Sequence, residues 1–133
     1  MSSAAGIIEG STLCPCGRGE AYEACCGPLH GGVPAPTAER LMRSRYCAFA
    51  LGLEGYLLDS WHPSTRPATL LLDHEVRWLR LIVESTEAGG PFDRDGAVAF
   101  TAVGRAADGR FEQSERSRFT REGGHWKYLD GEG

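Results

Sequence analysis

Four cysteines near the N-terminus carry the strongest chemical signal in the sequence. Cys14, Cys16, Cys25 and Cys26 lie in one short segment, with a proline and glycines beside the first pair that can turn the chain. Four thiolates are the number that Zn²⁺ needs to close a tetrahedral site. Such a site keeps no open position for chemistry, so we expect structural zinc that stabilises a segment too small to have its own core. Iron is the alternative, because sulfur ligation alone does not separate the two metals.

The thiols also admit a redox interpretation, which the spacing disfavours. A disulfide between the adjacent Cys25 and Cys26 would be strained, and neither cysteine pair has the C-x-x-C spacing of thioredoxin-type motifs. The fifth cysteine, Cys47, stands alone in a helical pattern. A small buried hydrophobic side chain is the simpler interpretation of that position.

The composition describes one ordinary domain. The chain has 133 residues, 41% of them hydrophobic, and its 14 Lys+Arg against 18 Asp+Glu give a formal net charge of −4. A chain of this length can bury one core, and its acidic balance offers no general attraction to nucleic acid or anionic lipid. No apolar run reaches the length of a membrane span, and the N-terminus lacks the basic start and apolar centre of a signal peptide. We therefore expect a cytoplasmic protein without membrane insertion.

The sequence divides into three segments. Residues 1–12 are predicted to be a flexible N-terminus, residues 13–30 form the cysteine-rich segment, called the knuckle below, and residues 31–133 form the main domain. The prolines and the glycine pair in residues 28–36 predict an irregular, flexible linker between the knuckle and the main domain.

The main domain should start with two helices and continue as a sheet. Thr37 can cap a helix, Gly52 should break it, and a second short helix over residues 56–61 should end before Pro63. Strands are predicted at residues 76–86, 97–103, 110–121 and 125–129, with an Asp108-Gly109 hairpin turn before the third. The first strand has large apolar side chains on both faces, which predicts burial on both. The architecture is α+β, with N-terminal helices packed on a meandering antiparallel sheet.

The third strand has no apolar face, which admits two interpretations. Along residues 110–121, phenylalanines alternate with polar and charged side chains such as Glu115 and Ser117. An exposed edge strand protected by charge would have this pattern. So would a sheet curved around a polar cavity, provided that charges such as Glu115 are paired with arginines or hydrated.

The candidate pocket residues follow from the second interpretation. His62, in a loop near the helix ends, and Glu115 are the candidate general acids or bases, although a His-Pro pair at a helix terminus more often bonds a carbonyl. Arg43 and Arg45 lie two apart on the first helix, so at most one can face the sheet. The predicted ligand-binding set is Arg43, Arg45, Tyr46, Trp61, Glu115, Ser117 and Trp126. No nucleophile elbow, phosphate-binding glycine loop or H-E-x-x-H motif is present in the sequence.

The segment CPCGRGEAYEACCG resembles the SEC-C motif, the zinc knuckle found at the C-terminus of the SecA preprotein translocase and in many other bacterial proteins. The stretches AERLMRSRYCAFALG, YLLDSWHPSTRP and ERSRFTREGGHWKYLDG are similar, in kind and order, to the bacterial YchJ family, and that resemblance covers almost the whole chain. It implies a cystatin-like, or nuclear transport factor 2-like, fold in which helices pack into a strongly curved sheet and leave a pocket. The family supplies no activity, and its superfamily includes both enzymes and binding modules.

The resemblance also bears on partners. SEC-C knuckles of the SecA type are typically lysine-rich and suggest ribosome or RNA binding, whereas this knuckle offers Arg18 alone against Glu20 and Glu23. RNA binding is therefore disfavoured, while the open sheet face of the superfamily is compatible with a homodimer. Two functions stay open: a zinc-binding module for a protein partner or a small molecule, and a small pocket enzyme of isomerase, lyase or hydrolase type that uses His62 or Glu115 as its base.

Overall fold

Four antiparallel strands form a sheet in the order β1-β2-β3-β4, and the helices pack against one of its faces. The structure is a computed structural model, and it describes residues 8–132. Of the predicted flexible N-terminus, residues 1–7 lie outside the described residues. The elements are a short 3-10 helix (Tyr22–Ala24), α1 (Cys26–His30), α2 (Ala38–Leu51), α3 (Glu54–Asp59), β1 (Arg77–Ala88), β2 (Asp95–Ala106), β3 (Gly109–Glu122) and β4 (His125–Glu132). The predicted α+β architecture is confirmed.

The long helix α2 begins and ends where the sequence predicts. The Thr37 hydroxyl accepts a hydrogen bond from the Arg40 amide at 3.1 Å, which satisfies one of the free donors of the first turn. Gly52 ends the helix with a φ of 76°, a left-handed conformation that glycine adopts without strain. The next helix, α3, begins at Glu54 and ends at Asp59, before Pro63 as predicted. Among the described residues, no helix has the length and apolar character needed to cross a bilayer.

The strands pair as consecutive hairpins, and irregularities in their register bend the sheet. The pairing of β1 with β2 shifts at two places, between Trp78 and Arg80 and between Val83 and Ser85. The pairing of β3 with β4 shifts between Arg118 and Phe119. Bulges of this kind bend a strand and increase its twist. The resulting curvature gives the sheet a concave face, and the helices cover it.

The burial of two strands differs from the sequence-based expectation. The first strand, β1, lies at the edge of the sheet and is largely exposed, with Leu81 as its buried residue, so the prediction of burial on both faces was wrong. The apolar residues Leu79 and Ile82 are partly exposed, because an edge strand has the side chains of a neighbouring strand beside it on one side only. In contrast, β3 pairs with strands on both sides, so the edge interpretation of its polar pattern was wrong.

The knuckle packs directly on α2 and shares the core of the main domain. Its four cysteines and Leu29 belong to one buried cluster with residues of α2 and the sheet. The Arg43 guanidinium donates to the Cys16 carbonyl at 2.9 Å, and His30 Nε2 lies 2.9 Å from the Ser44 carbonyl. The start of the predicted linker, residues 28–30, forms the end of α1. The boundary at residue 30 stays a prediction, but the contacts that cross it tie the two segments together.

Candidate metal centre and adjoining cavity

The four cysteines of the knuckle bring their sulfur atoms into one buried cluster. All four Sγ atoms lie within 4.8 Å of one another. The Sγ atoms of Cys16 and Cys25 are 3.5 Å apart, and those of Cys25 and Cys26 are 4.0 Å apart. These separations are too long for disulfides, and all five cysteines are free thiols. A bridge between Leu13 and Ala21 and the turn of 3-10 helix return the chain so that the two pairs meet.

The geometry of the cluster fits a tetrahedral metal ion. Four sulfurs at the usual zinc–sulfur distance of about 2.3 Å stand roughly 3.8 Å from one another, close to the separations observed here. A closed set of this kind would hold a structural ion, with Cys14, Cys16, Cys25 and Cys26 as its ligands. When bound, the ion supplies the positive charge that lets four neighbouring thiols ionise together.

Hydrogen bonds within the cluster already separate the acidities of its thiols. Donation from the thiols of Cys16 and Cys26 lowers the pKa of Cys14. The hydrogen bond to Cys14, together with burial, raises the pKa of Cys16 and of Cys26. The thiols therefore support one thiolate by sharing the remaining protons. Ionising the others in a buried site requires a cation among them.

Three arginines lie around the cluster, and the sequence did not predict the contacts that two of them, Arg40 and Arg43, make from α2. Arg18 places Nη1 3.8 Å from the Cys25 sulfur, and Arg40 donates to the Cys25 carbonyl at 3.2 Å. Arg43, predicted to face the pocket, instead donates to the Cys16 carbonyl. A divalent ion with four thiolates carries two net negative charges, so nearby guanidinium groups favour the loaded site.

Cys47 contacts the cysteine cluster, although it is distant from the cluster in the sequence. It is fully buried in α2, as the interpretation as a small hydrophobic residue predicts. Its sulfur lies 3.9 Å from that of Cys14. This contact, which raises the pKa of Cys47, packs the knuckle against α2. The sequence separation of the two residues gave no signal for it.

A cavity of about 170 Å³ lies on the other side of α2, between the helix and the concave face of the sheet. Aromatic rings form most of its wall, and polar side chains of β3 form its floor. Its lining residues are Met42, Arg45, Tyr46, Phe49, Trp61, Trp78, Phe100, Ala102, Gln113, Glu115, Ser117, Phe119 and Tyr128. The exposed Phe49 and Gln113 mark the side where the cavity meets solvent. The alternating polar pattern of β3 is therefore explained by a cavity.

Arg45 brings a positive charge into this cavity. The residue is only 5% exposed, and its Nη1 donates to the Leu57 carbonyl at 2.8 Å and to the Ser60 hydroxyl at 2.6 Å. Its guanidinium carbon lies 5.1 Å from the centre of the Trp61 ring and 4.5 Å from that of Tyr128. Burial lowers the pKa of Arg45 to about 10, so the group stays charged at neutral pH.

Glu115 provides the carboxylate of the cavity. Its Oε2 accepts from the Ser117 hydroxyl at 2.6 Å and from the Tyr128 hydroxyl at 3.3 Å. The carboxylate lies against the backbone of Gly131, where a Cβ atom would overlap it. Among the described ion pairs, none joins Glu115 to an arginine; the β3 arginines Arg116 and Arg118 pair instead with Glu87 and Asp130. The predicted arginine partner of Glu115 is therefore replaced by hydroxyl donors.

The structure brings together five residues of the predicted ligand-binding set and separates two. Arg45, Tyr46, Trp61, Glu115 and Ser117 line the cavity. Arg43 points to the knuckle, because two residues that are two positions apart on a helix cannot both face the sheet. Trp126 lines a separate groove between β4 and the segment after α1.

His62, the other candidate base, does not line the cavity. Its ring bonds the Ser64 hydroxyl at 2.7 Å and the Glu122 carboxylate at 3.0 Å. Its backbone amide donates to the Tyr128 carbonyl at 2.7 Å, which ties the loop after α3 to β4. These contacts give His62 a positioning role for the loop, and they place its ring away from Glu115.

Two family profiles match the sequence. One is described as "YchJ, middle NTF2-like domain" and matches residues 37–131, and the other is described as "SEC-C motif" and matches residues 11–28. The chain belongs to the YchJ family. Relatives named UPF0225 protein include one from Streptomyces coelicolor, 54% identical over 90% of this chain and 94% of the relative. Another, from Chromobacterium violaceum, is 51% identical over 92% of this chain and 94% of the relative.

Two solved structures share the fold of this YchJ-family chain. The solution structure of a SEC-C motif containing protein from Rhodopseudomonas palustris has a TM-score of 0.76 and 35% identity, covering 90% of this chain and 96% of that protein. The crystal structure of a SEC-C motif containing protein from Psychrobacter arcticus has a TM-score of 0.75 and 28% identity, covering 92% of this chain and 84% of that protein. The resemblances to the YchJ family and to the SEC-C motif are therefore confirmed.

Proposed function

We propose that this protein is a cytosolic binding module in which a structural zinc ion fixes the knuckle on α2 and the aromatic cavity beside α2 binds a small molecule. The observation that carries the proposal is a cavity containing buried donors that the protein leaves unused. Arg45 donates through Nη1 alone among the described hydrogen bonds, which leaves its Nε and Nη2 without an acceptor in the described part of the chain. Buried donors are ordinarily satisfied, so a bound molecule is the natural acceptor.

Zinc is the ion that we propose for the cluster, because a closed set of four thiolates is a usual structural zinc site, and iron is the alternative that the same ligands admit. All four cysteines are buried, and their sulfurs form one cluster. Free, clustered thiols also suit a reducing compartment, which supports a cytosolic location. The metal then has a mechanical role, because it connects the knuckle to α2, and α2 forms one wall of the cavity.

The experiment for the cavity uses a single-ring probe and the indole resonances of the protein. The full chain, reduced and loaded with zinc, is labelled with ¹⁵N and titrated with phenol. We expect saturable shifts of the Trp61 and Trp78 indole signals, because both rings line the cavity. The Trp126 signal serves as the internal reference, because that ring lines a different groove.

A matched pair of variants separates cavity binding from surface binding. Ala102→Leu adds volume inside the cavity, whereas Ala107→Leu adds the same atoms to an exposed turn. Overpacking of this kind destabilises by about 1–3 kcal/mol, so both variants are first checked for folding. Loss of the shifts in the first variant alone supports the proposal. Unchanged indole signals in the parent protein across the whole titration would reject it.

The pocket enzyme is the second candidate, and the observation in its favour is the Glu115 carboxylate inside the cavity. Because His62 lies outside, a reaction there would depend on Glu115 as its base, with the Tyr128 hydroxyl beside it. This candidate would be favoured over simple binding if the parent protein chemically changes a bound ligand and Glu115→Gln does not. The control variant Glu112→Gln, on the exposed face of the same strand, should keep the activity.

A further inference from the structure

We propose that the cavity selects a single-ring aromatic carboxylate that also carries a hydroxyl or amino group on its ring. This inference rests on the proposed function, because it names the chemical class of the molecule that the cavity binds. Three features of the cavity support it: its size, the unused donors of Arg45 and the unused acceptor of Glu115.

The size and the walls of the cavity suit one flat ring. Its volume of about 170 Å³ is slightly above that of an engineered apolar cavity of about 150 Å³ that accepts benzene. Rings of Tyr46, Phe49, Trp78, Phe100 and Phe119 surround the space. Aromatic walls favour an aromatic guest through offset and edge-to-face contacts. A fused-ring or long-chain molecule would have to extend past Phe49 and Gln113 into solvent.

The unused donors of Arg45 favour an anionic group in the ligand. The Arg45 guanidinium uses Nη1 for the Leu57 carbonyl and the Ser60 hydroxyl, and its Nε and Nη2 donors have no partner among the described residues. No carboxylate forms an ion pair with this guanidinium in the part of the chain that the structure describes. The Trp61 ring, which also lines the cavity, has its centre 5.1 Å from the guanidinium carbon. A planar carboxylate matches the fork of donors that a guanidinium presents.

The unused acceptor of Glu115 favours a hydrogen-bond donor in the ligand. Glu115 accepts from Ser117 and Tyr128 at Oε2, and its Oε1 has no hydrogen-bond partner among the described residues. The Tyr128 side chain lies between these two groups, because its ring contacts the Arg45 guanidinium and its hydroxyl contacts Glu115. A ring with a carboxylate at one end and an O–H or N–H donor at the other would satisfy both groups at once. Benzoate, which lacks that donor, would leave the Glu115 acceptor unused beside its own carboxylate charge.

The experiment compares four small probes on the same labelled, zinc-loaded protein: phenol, benzoate, and the meta and para isomers of hydroxybenzoate. Dissociation constants are taken from the shift of the Trp61 indole signal, so that binding elsewhere on the surface does not count. We expect the better hydroxybenzoate isomer to bind about tenfold or more tightly than phenol, because hydrogen bonds to a charged donor are the stronger kind. We also expect it to bind more tightly than benzoate.

Charge-neutral variants test the Arg45 donors and the Glu115 acceptor separately. Arg45→Gln should remove the advantage of hydroxybenzoate over phenol, while Arg80→Gln on the exposed face of β1 should keep it. Glu115→Gln should tighten benzoate and reduce the advantage of hydroxybenzoate over benzoate, and Glu112→Gln should do neither. Since Arg45 also bonds the backbone of α3, its variant is checked for folding, and the probe series on the parent protein decides the question if that variant does not fold.

The outcomes separate this inference from the proposed function. Phenol and both hydroxybenzoates binding with equal affinity at the Trp61 signal would overturn the inference and leave the cavity as a binding site. Hydroxybenzoate binding that is equally strong in Arg45→Gln would also overturn it. If no ring shifts the Trp61 signal, the proposed function itself fails.

Discussion

Removing the metal should destabilise the sheet domain as well as the knuckle, although the sequence suggested a detachable segment. The reason is the set of contacts between the knuckle and α2. Arg43 donates to the Cys16 carbonyl, Arg40 donates to the Cys25 carbonyl, and the His30 ring bonds the Ser44 carbonyl. These three hydrogen bonds contribute about 1 kcal/mol each. Releasing the knuckle would also expose Leu29, whose burial contributes roughly 2 kcal/mol.

The expected loss is therefore about 4 kcal/mol, allowing for partial retention of contacts. For a chain of this size that corresponds to a fall in Tm of roughly 12–20 °C. The side-chain arrangement of His30 supports the direction of the effect. Its Nε2 donates to the Ser44 carbonyl, so its Nδ1 accepts from the Tyr22 hydroxyl at 2.6 Å, and burial lowers its pKa so that the ring stays neutral. This bond network depends on α1 staying in place.

Tryptophan fluorescence provides the assay, because Trp61, Trp78 and Trp126 all lie outside the knuckle and report on the main domain alone. Thermal unfolding is followed before and after treatment of the reduced protein with a zinc chelator, with metal release measured in parallel. A chelator that removes the metal while leaving the fluorescence-detected Tm unchanged would refute the coupling. The knuckle would then be independent of the sheet domain, as the linker prediction implied.

Three further predictions test individual parts of the account. Arg43→Ala should lower stability by about 2 kcal/mol and speed metal transfer to a competing chelator, because the bond to the Cys16 carbonyl is lost; an unchanged transfer rate would contradict this role. Gly52→Ala should lower Tm by about 4 °C without changing the fold, since an alanine at a φ of 76° costs about 1 kcal/mol; an equal or higher Tm would contradict the strain argument. Burial raises the pKa of Tyr46 and of Tyr128 to about 12, so their contribution to stability is complete below pH 10 and lost as pH rises through about 12; native-state absorbance titration of all tyrosines near 10 would contradict this.

The local elements and the cysteine cluster could be predicted from the sequence because their signals are local. Thr37 and Gly52 mark the ends of α2 through cap chemistry that depends on a few neighbouring residues. The type and spacing of the four cysteines predict a cluster, and the structure places their sulfurs together. The fold class followed from the order of helical and strand patterns.

What the sequence could not supply depends on contacts between distant segments. The apolar residues of β1 indicated burial on both faces, but strand order decides exposure, and β1 is an edge. Arg43 and Arg45 have the same chemistry, and only the placement of the knuckle on α2 decides which of them lines the cavity. His62 looked like a base by residue type, whereas its neighbour Glu122 comes from the far end of β3.

The contact between Cys14 and Cys47 joins residues on opposite sides of the linker and has no local signature. It also supplies a matched control for the metal site. Cys47 is as buried as the four ligands and touches one of them, but it lies outside the set whose sulfurs all approach one another. Cys26→Ser and Cys47→Ser therefore change the same atom in the same core, and only the first removes a ligand.

Native mass spectrometry of the reduced protein and of these two variants tests the central claim most directly. We predict one zinc ion per chain in the parent protein and in Cys47→Ser, and loss of that ion in Cys26→Ser. Reduced parent protein that carries neither zinc nor iron, or a Cys26→Ser variant that keeps full metal content, would contradict the claim that these four sulfurs hold the knuckle on the domain.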